Sequence, residues 1–342
     1  MTKGTKIFAG IFAVVAIATI AWIGYRSYDL YYAPYTTGGG VVRLPSHGDR
    51  QHLIETLHRG ALVRDTAKLR RALERLDFSY RSGQFEIEPG WSAKELVDHL
   101  RGGRQKEARV VLTNGRLLGD VAAKATRFVE VDSAALHEAL TDTAWLAERG
   151  LSTQTAIATA IPNTYNVYWN ATPTELRDRL ALEADRFWER DDRLAKADSL
   201  GLTPLEVYTL ASIVDAETNV TAEMPTIAGV YLNRLRVGMP LQADPTVVFA
   251  VGDFTLRRVL YKHLEYDSPY NTYMYPGLPP GPIMMAGIDA IDAVLEPEQH
   301  DYLYFVTRGD GSGTHAFARD QRGHGRNIRA FKETLRARGI RR

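Results

Sequence analysis

The chain has 342 residues, enough for two compact units, and 42 Lys plus Arg nearly cancel 41 Asp plus Glu to leave a net charge of +1. That balance supplies no field for gripping a phosphate backbone, so nucleic acid is not an expected partner. With no cysteine, a disulfide framework, thiol catalysis and thiolate metal sites are all excluded, and none of the nine histidines falls in an H-E-x-x-H or comparable ligand spacing.

IFAGIFAVVAIATIAWIGY, from Ile7 to Tyr25, holds no charged residue. Nineteen helical residues at a 1.5 Å rise come close to the roughly 30 Å hydrocarbon core of a bilayer. The run exceeds the usual 7–15 residues of a cleaved signal's apolar region, so it is expected to remain as a transmembrane helix. Lys3, Lys6 and the terminal amine precede it, which predicts a cytoplasmic tail over residues 1–6 and everything beyond the span outside the cytoplasmic membrane. YYAPYTTGGG then reads as part of a linker over 26–40.

From residue 41 the pattern is mixed. VVRLP and FEIEPG have strand character, and QHLIETLHRG and TAKLRRALERL have helical apolar spacing. In WSAKELVDHLRGG, Ser92 and Glu95 predict a capping box and Gly102 with Gly103 a stop. RVVLTNGRLLGDVAAKA repeats strand, turn and helix, closing a small α+β region over 41–125. Residues 126–200 read as a mainly helical connecting region, broken at AIPNTYNVYWNATPTEL. There Pro162 and Pro173 bracket Asn163, Tyr165, Tyr168 and Trp169, a mixture that suits either a packed loop or the wall of a carbohydrate site, because sugar faces stack on aromatic rings.

The next helix is sharply marked. Thr203 is a good N-cap, Pro204 suits the first helical position, and Glu206 completes a capping box. Leu205, Tyr208, Thr209, Ser212 and Ala216 share one stripe, so the helix is mostly buried, yet it ends in Asp215 and Glu217. A carboxylate at the negative end of the macrodipole, among apolar neighbours, keeps its proton to higher pH than the ordinary value near 4.3. That is what a general acid at neutral pH needs. MPTIAGVYLNRLRVGM predicts a second amphipathic helix with Ile227, Val230, Tyr231 and Leu235 inward and Gly238 as its stop. PLQADPTVVFAVGD supplies a polar loop before an apolar run, SPYNTYMYPGLPPGPI a loop stiffened by prolines, and YLYFVTRGDGSGTHAFAR a hairpin with His315 on the returning strand.

LASIVDAETN, VYLNRLRVGMPLQADPTV, SPYNTYMYPGLPPGPI, and YLYFV with GTHAF and GHGRN resemble, in that order, the blocks of the endolytic murein transglycosylase (MltG or YceG-like) family. The resemblance implies an α+β protein with a single N-terminal transmembrane helix, a LysM-like module over 41–125, the helical connection and a YceG-like catalytic domain over 201–342. It further implies an enzyme without a cofactor that cuts the β-1,4 bond between N-acetylmuramic acid and N-acetylglucosamine in peptidoglycan strands, leaving 1,6-anhydro ends and consuming no water. Glu217 falls on the family's catalytic glutamate. Gln242, Asp244, Thr246, Asn271, Tyr273 and His315 fall in its blocks, and Asn163 and Tyr165 in the preceding segment, as expected substrate contacts. Glu223 and Asp244 are available as second carboxylates, which keeps a hydrolytic route open, and a glycan-binding scaffold without catalysis is the competing class. Attachment to the membrane and the family resemblance together imply peptidoglycan synthases as partners.

Overall fold

The computed structural model describes residues 3–340 apart from Asn114 and Arg257. The side chains of Lys3 and Lys6, on which the expected orientation rests, lie outside the described residues, as do Met1, Thr2, Arg341 and Arg342. In chain order the first elements are α1 (Lys3–Tyr31), β1 (Gly40–Leu44), α2 (Arg50–Arg59), α3 (Thr66–Arg75), β2 (Gly83–Ile87), α4 (Ala93–Gly102) and β3 (Glu107–Leu112). There follow α5 (Leu118–Ala125), α6 (Ser133–Leu140), α7 (Thr143–Glu148), β4 (Asn163–Tyr168), α8 (Pro173–Glu189), α9 (Arg193–Ser199), α10 (Pro204–Glu217) and α11 (Met224–Arg236). α12 (Asp244–Val251), α13 (Tyr261–Leu264), α14 (Ile288–Leu295), β5 (Tyr304–Thr307), β6 (His315–Ala318) and α15 (Gln321–Ala337) complete the order. The strands form three two-stranded sheets, β1–β2, β3–β4 and β5–β6. The chain divides into one unit running through Arg109 with Phe128–Glu130 and Asn166–Ala171, and a second holding Val110–Arg127, Val131–Tyr165 and the chain from Thr172 onward.

In the first unit α1 is apolar, unburied from Ile7 to Asp29, and long enough to cross a bilayer. It runs on to Tyr31, beyond the expected end at Tyr25. The stretch expected to be a free linker is instead packed. Leu30 and Tyr35, each 6% exposed, join the unit's apolar core, and Lys68 Nζ pairs with Asp29 at 2.7 Å. Tyr35 and Thr36 donate backbone hydrogen bonds to the Trp91 carbonyl at 2.7 and 3.0 Å. The physical reason is the composition: the Pro and Gly residues shape the path, but the tyrosines between them carry too much apolar surface to stay in water. β1 and β2 pair antiparallel with Val42 opposite Phe85, and their inner residues lie against Leu53, Leu57, Leu69 and Leu96. α4 starts with the expected Ser92–Glu95 capping box.

The second unit is built around α10, α11 and α14, which pack on one another through Leu210, Ile213 and Val214, Ile227 and Val230, and Ile291 and Val294, all fully buried. α10 begins as expected, with Thr203, Pro204 and the reciprocal Thr203–Glu206 cap. Ala216, assigned to its inner stripe from the sequence, is exposed. Gly238 ends α11 region as a left-handed residue (φ +69°), the conformation a helix stop needs. The segment Ile283–Gly287 is laced onto α10: Ile283 N donates to Ser212 Oγ at 3.0 Å, and Gly287 N donates to Asp215 Oδ2 at 2.8 Å. The apolar run after the polar loop is helix α12, and the expected hairpin is present with Thr307 opposite His315. At the expected break, Asn163–Tyr168 is a strand, because Tyr165 and Val167 alternate inward while their neighbours face out.

Candidate active site

Glu217 is the last residue of α10. It stands where the helix's unpaired carbonyls gather, and the chain leaves it extended at Thr218. Its Oε1 accepts a hydrogen bond from Tyr231 Oη at 2.7 Å. Tyr231 comes from the inner face of α11, is 1% exposed, and is held edge-on against Phe305 of β5, with ring centres 5.8 Å apart. Burial pushes the Glu217 carboxyl up to about 7, with the nearby Asp244 charge adding to the rise; the Tyr231 hydrogen bond and the Arg234 guanidinium pull the other way. Burial drives the Tyr231 phenol well above its usual range, the neighbouring Glu217 charge adding to the effect, so it remains a donor. A carboxyl balanced near neutrality can both give and take a proton.

Arg234, one turn beyond Tyr231, is the brace. Its Nε donates to the Leu303 carbonyl at 2.7 Å and its Nη1 to the Leu241 carbonyl, tying α11 to the approach to β5 and to the loop before α12. In that loop Gln242 is exposed and held at φ +48°, a left-handed conformation that costs a non-glycine residue about 1 kcal/mol or more. Its N–H donates to the Thr272 carbonyl at 3.1 Å. The next residue's N–H donates to Thr272 Oγ1 at 3.0 Å, and Thr272 Oγ1 meets Thr246 Oγ1 at 2.8 Å. These bonds deliver Asp244 to the start of α12, where Tyr273 Oη donates to its Oδ1 at 2.7 Å.

Glu217, Asp215, Asp244 and Asn219 line one cleft of about 480 Å³, with Phe249 and Phe254 as aromatic wall and Arg116 and Arg258 as its cations. The fate of the expected contacts is mixed. Asp244 lines the cleft, Tyr273 holds Asp244, and Gln242 lies exposed two residues before it. Thr246 and Asn271 are 0% exposed and serve as fasteners: Asn271 Nδ2 donates to the Leu264 and Tyr266 carbonyls at 2.9 Å. Tyr165, 1% exposed, spends its hydroxyl on the Ile161 carbonyl. These three expected substrate contacts are therefore placed as internal supports, since a buried polar group must satisfy itself within the protein. Asn163 is exposed on β4 and outside the cleft lining. His315 also has a different partner: its N–H donates to Glu223 Oε1 at 2.9 Å and its Nδ1 lies 3.0 Å from Oε2. Both oxygens of Glu223 are thus committed, which removes it as a free second carboxylate and leaves Asp244. Nothing in the sequence separates Tyr231 from ordinary core aromatics; its role comes from the α10–α11 packing that brings its hydroxyl to Glu217. Arg116 is drawn in from a turn far earlier in the chain, a contact no local pattern announces.

A mixed α+β unit here ends a buried helix in one near-neutral carboxyl that opens on a polar and aromatic cleft, an arrangement able to exchange a proton with a polar ligand. The YceG-like family model matches residues 42–330, and the chain belongs to the YceG-like family. It is 49% identical over 106 residues to the endolytic murein transglycosylase of Bacillus subtilis strain 168, a match covering 31% of this chain and 29% of that protein. It is 33% identical over 171 residues to the endolytic murein transglycosylase of Streptococcus pneumoniae D39, covering 49% of this chain and 30% of the relative. The matched stretches thus span under a third of each relative's length. The crystal structure of a yceG-like protein from Listeria monocytogenes shares the fold at a TM-score of 0.56 and 23% identity, over 84% of this chain and 98% of that one.

Proposed function

We propose that the protein is a membrane-anchored endolytic lytic transglycosylase that cuts the β-1,4 bond between N-acetylmuramic acid and N-acetylglucosamine in nascent peptidoglycan strands. The observation that carries this reading is the Glu217 carboxyl, balanced near pH 7 and clamped by Tyr231 at the cleft. Protonated Glu217 gives its proton to the glycosidic oxygen as the C1–O bond breaks and the N-acetylglucosamine O4 leaves as a hydroxyl. The resulting carboxylate takes the proton from the muramyl 6-hydroxyl as O6 bonds to C1, and Glu217 returns to its acid form. One carboxyl suffices because the nucleophile already belongs to the substrate and is held close to the reacting carbon.

A second reading rests on Asp244, which lines the same cleft. As a base it would direct water to C1 and give a reducing end, the route of glycosidases that use paired carboxylates. Mass spectrometry of products from glycan strands separates the two, because an anhydro end is one water lighter. Glu217→Gln, nearly isosteric, is expected to fold normally and release no anhydromuramyl product; full activity in that variant sinks the proposal. Strands bound and left uncut by the parent chain would instead identify a glycan-binding scaffold.

The remaining assignments extend this reading. α1 spans the cytoplasmic (inner) membrane with its N-terminus in the cytoplasm, and the units beyond it work on the outer side. The small α+β unit is a LysM-like module, a role its β1-α2-α3-β2 order suits; a groove of about 420 Å³ beside Arg50, Arg70 and Glu74 is its glycan-facing surface. An anchored enzyme reaches strands close to the membrane, which puts peptidoglycan synthases among its partners and makes the cut a way of ending strand elongation.

A further inference from the structure

Two cations in the active cleft take no part in the chemistry above. Arg116 and Arg258 both line it. Among the described residues neither forms an ion pair with a carboxylate, although Asp215, Glu217 and Asp244 line the same cleft. The turn bearing Arg116 is fixed at both ends: Met285 N donates to the Gly115 carbonyl at 2.8 Å, and the N–H groups of Arg116 and Leu117 donate to Asp120 Oδ2 at 3.1 and 2.9 Å. The Arg116 guanidinium lies over Phe254, 4.7 Å from the ring centre. A guanidinium stacked this way has its face covered and its N–H edges free for a planar anion.

A chain of neutral sugars offers no such anion. The muramyl residue beside the bond to be cut does, because its lactyl group carries a peptide stem with carboxylates. We propose that Arg116 and Arg258 form a subsite for a stem-peptide carboxylate, making the protein selective for strands whose stems are intact. This rests on the reading of the cleft as a peptidoglycan site. Two charge-assisted, fork-shaped contacts discriminate a carboxylate from an amide by roughly ten-fold or more.

The test uses the full-length chain in detergent, carrying Glu217→Gln so that strands stay whole. Affinity is measured for short uncrosslinked strands of one length, with free reducing ends, in three forms: stems intact, stem carboxylates amidated, and stems removed with the freed lactyl carboxyls amidated. Intact strands are expected to bind roughly ten-fold or more tightly than the other two. Adding Arg116→Gln and Arg258→Gln is expected to abolish the difference while leaving the affinity for stripped strands unchanged. Equal binding of all three forms overturns the proposal, and so does a preference that survives the double substitution. Cutting by the chain with Glu217 intact is scored separately. Stem-dependent binding without cutting keeps the subsite and removes the transglycosylase reading, whereas cutting without stem preference does the reverse.

Discussion

Glu217 is pulled in two directions, and the balance has consequences for stability as well as chemistry. Burial raises its carboxyl from 4.5 to about 7, so between those values the folded chain holds a proton that the unfolded chain releases. Folding stability therefore falls as pH rises through that window, by about 3 kcal/mol in all, and the loss is complete above it. Glu217→Gln carries no such penalty. It is expected to melt several degrees above the parent at pH 8 and together with it near pH 4; coincident melting curves at pH 8 contradict this account. Tyr231→Phe removes the donor that favours the carboxylate. In the proposed mechanism Glu217 sets the alkaline limb of the activity profile, and that limb is expected to move up by about one pH unit, with a lower rate because the second step needs the carboxylate. A limb that stays in place means Tyr231 does not tune the acid. Glu217 itself is legible in the sequence, as an acid at the end of a capped apolar helix. Tyr231 is not, because an inward tyrosine on an amphipathic helix looks the same whether its hydroxyl meets a carboxylate or a carbonyl.

Among elements, what is local is what the sequence reveals. The Thr203–Pro204–Glu206 start of α10, the Ser92–Glu95 start of α4 and the β5–β6 hairpin each depend on residues a few positions apart, and each is present. β4 was hidden because its partner, β3, lies some fifty residues earlier, and the bracketing prolines look like a loop to any short window. The burial of Thr246 and Asn271 is hidden for a related reason: a polar side chain in a family block looks the same whether it faces a ligand or fastens a loop. The packing between α11 and the segment before β5 can be tested. A Cβ at Gly229 would meet the Glu298 carbonyl at 2.7 Å and His300 Nε2 at 2.8 Å, closer than atoms tolerate. Gly229→Ala is expected to cost about 1–3 kcal/mol, read as a lower urea midpoint for this unit. An unchanged midpoint would mean that the segment yields freely.

At the scale of the whole molecule, the apolar run identifies a helix long enough to cross a membrane, but not where that helix ends. The tyrosine-bearing stretch after it reads as a tether and is in fact core. A soluble version starting at Arg26 keeps Leu30 and Tyr35, and one starting at Gly40 loses both from the apolar cluster of the first unit. With each buried side chain worth about 1.5–3 kcal/mol, the shorter version is expected to unfold that unit at a markedly lower urea concentration, in a transition followed by Trp91 fluorescence. Matching midpoints would mean that the stretch contributes nothing to it. The same docking leaves the first unit no leash. In the proposed membrane-anchored form, a helix that enters a folded unit at Leu30 and Asp29, with no slack between, transmits its lean to whatever it carries, so a thicker or thinner bilayer would re-aim that unit instead of merely changing its distance from the lipid surface.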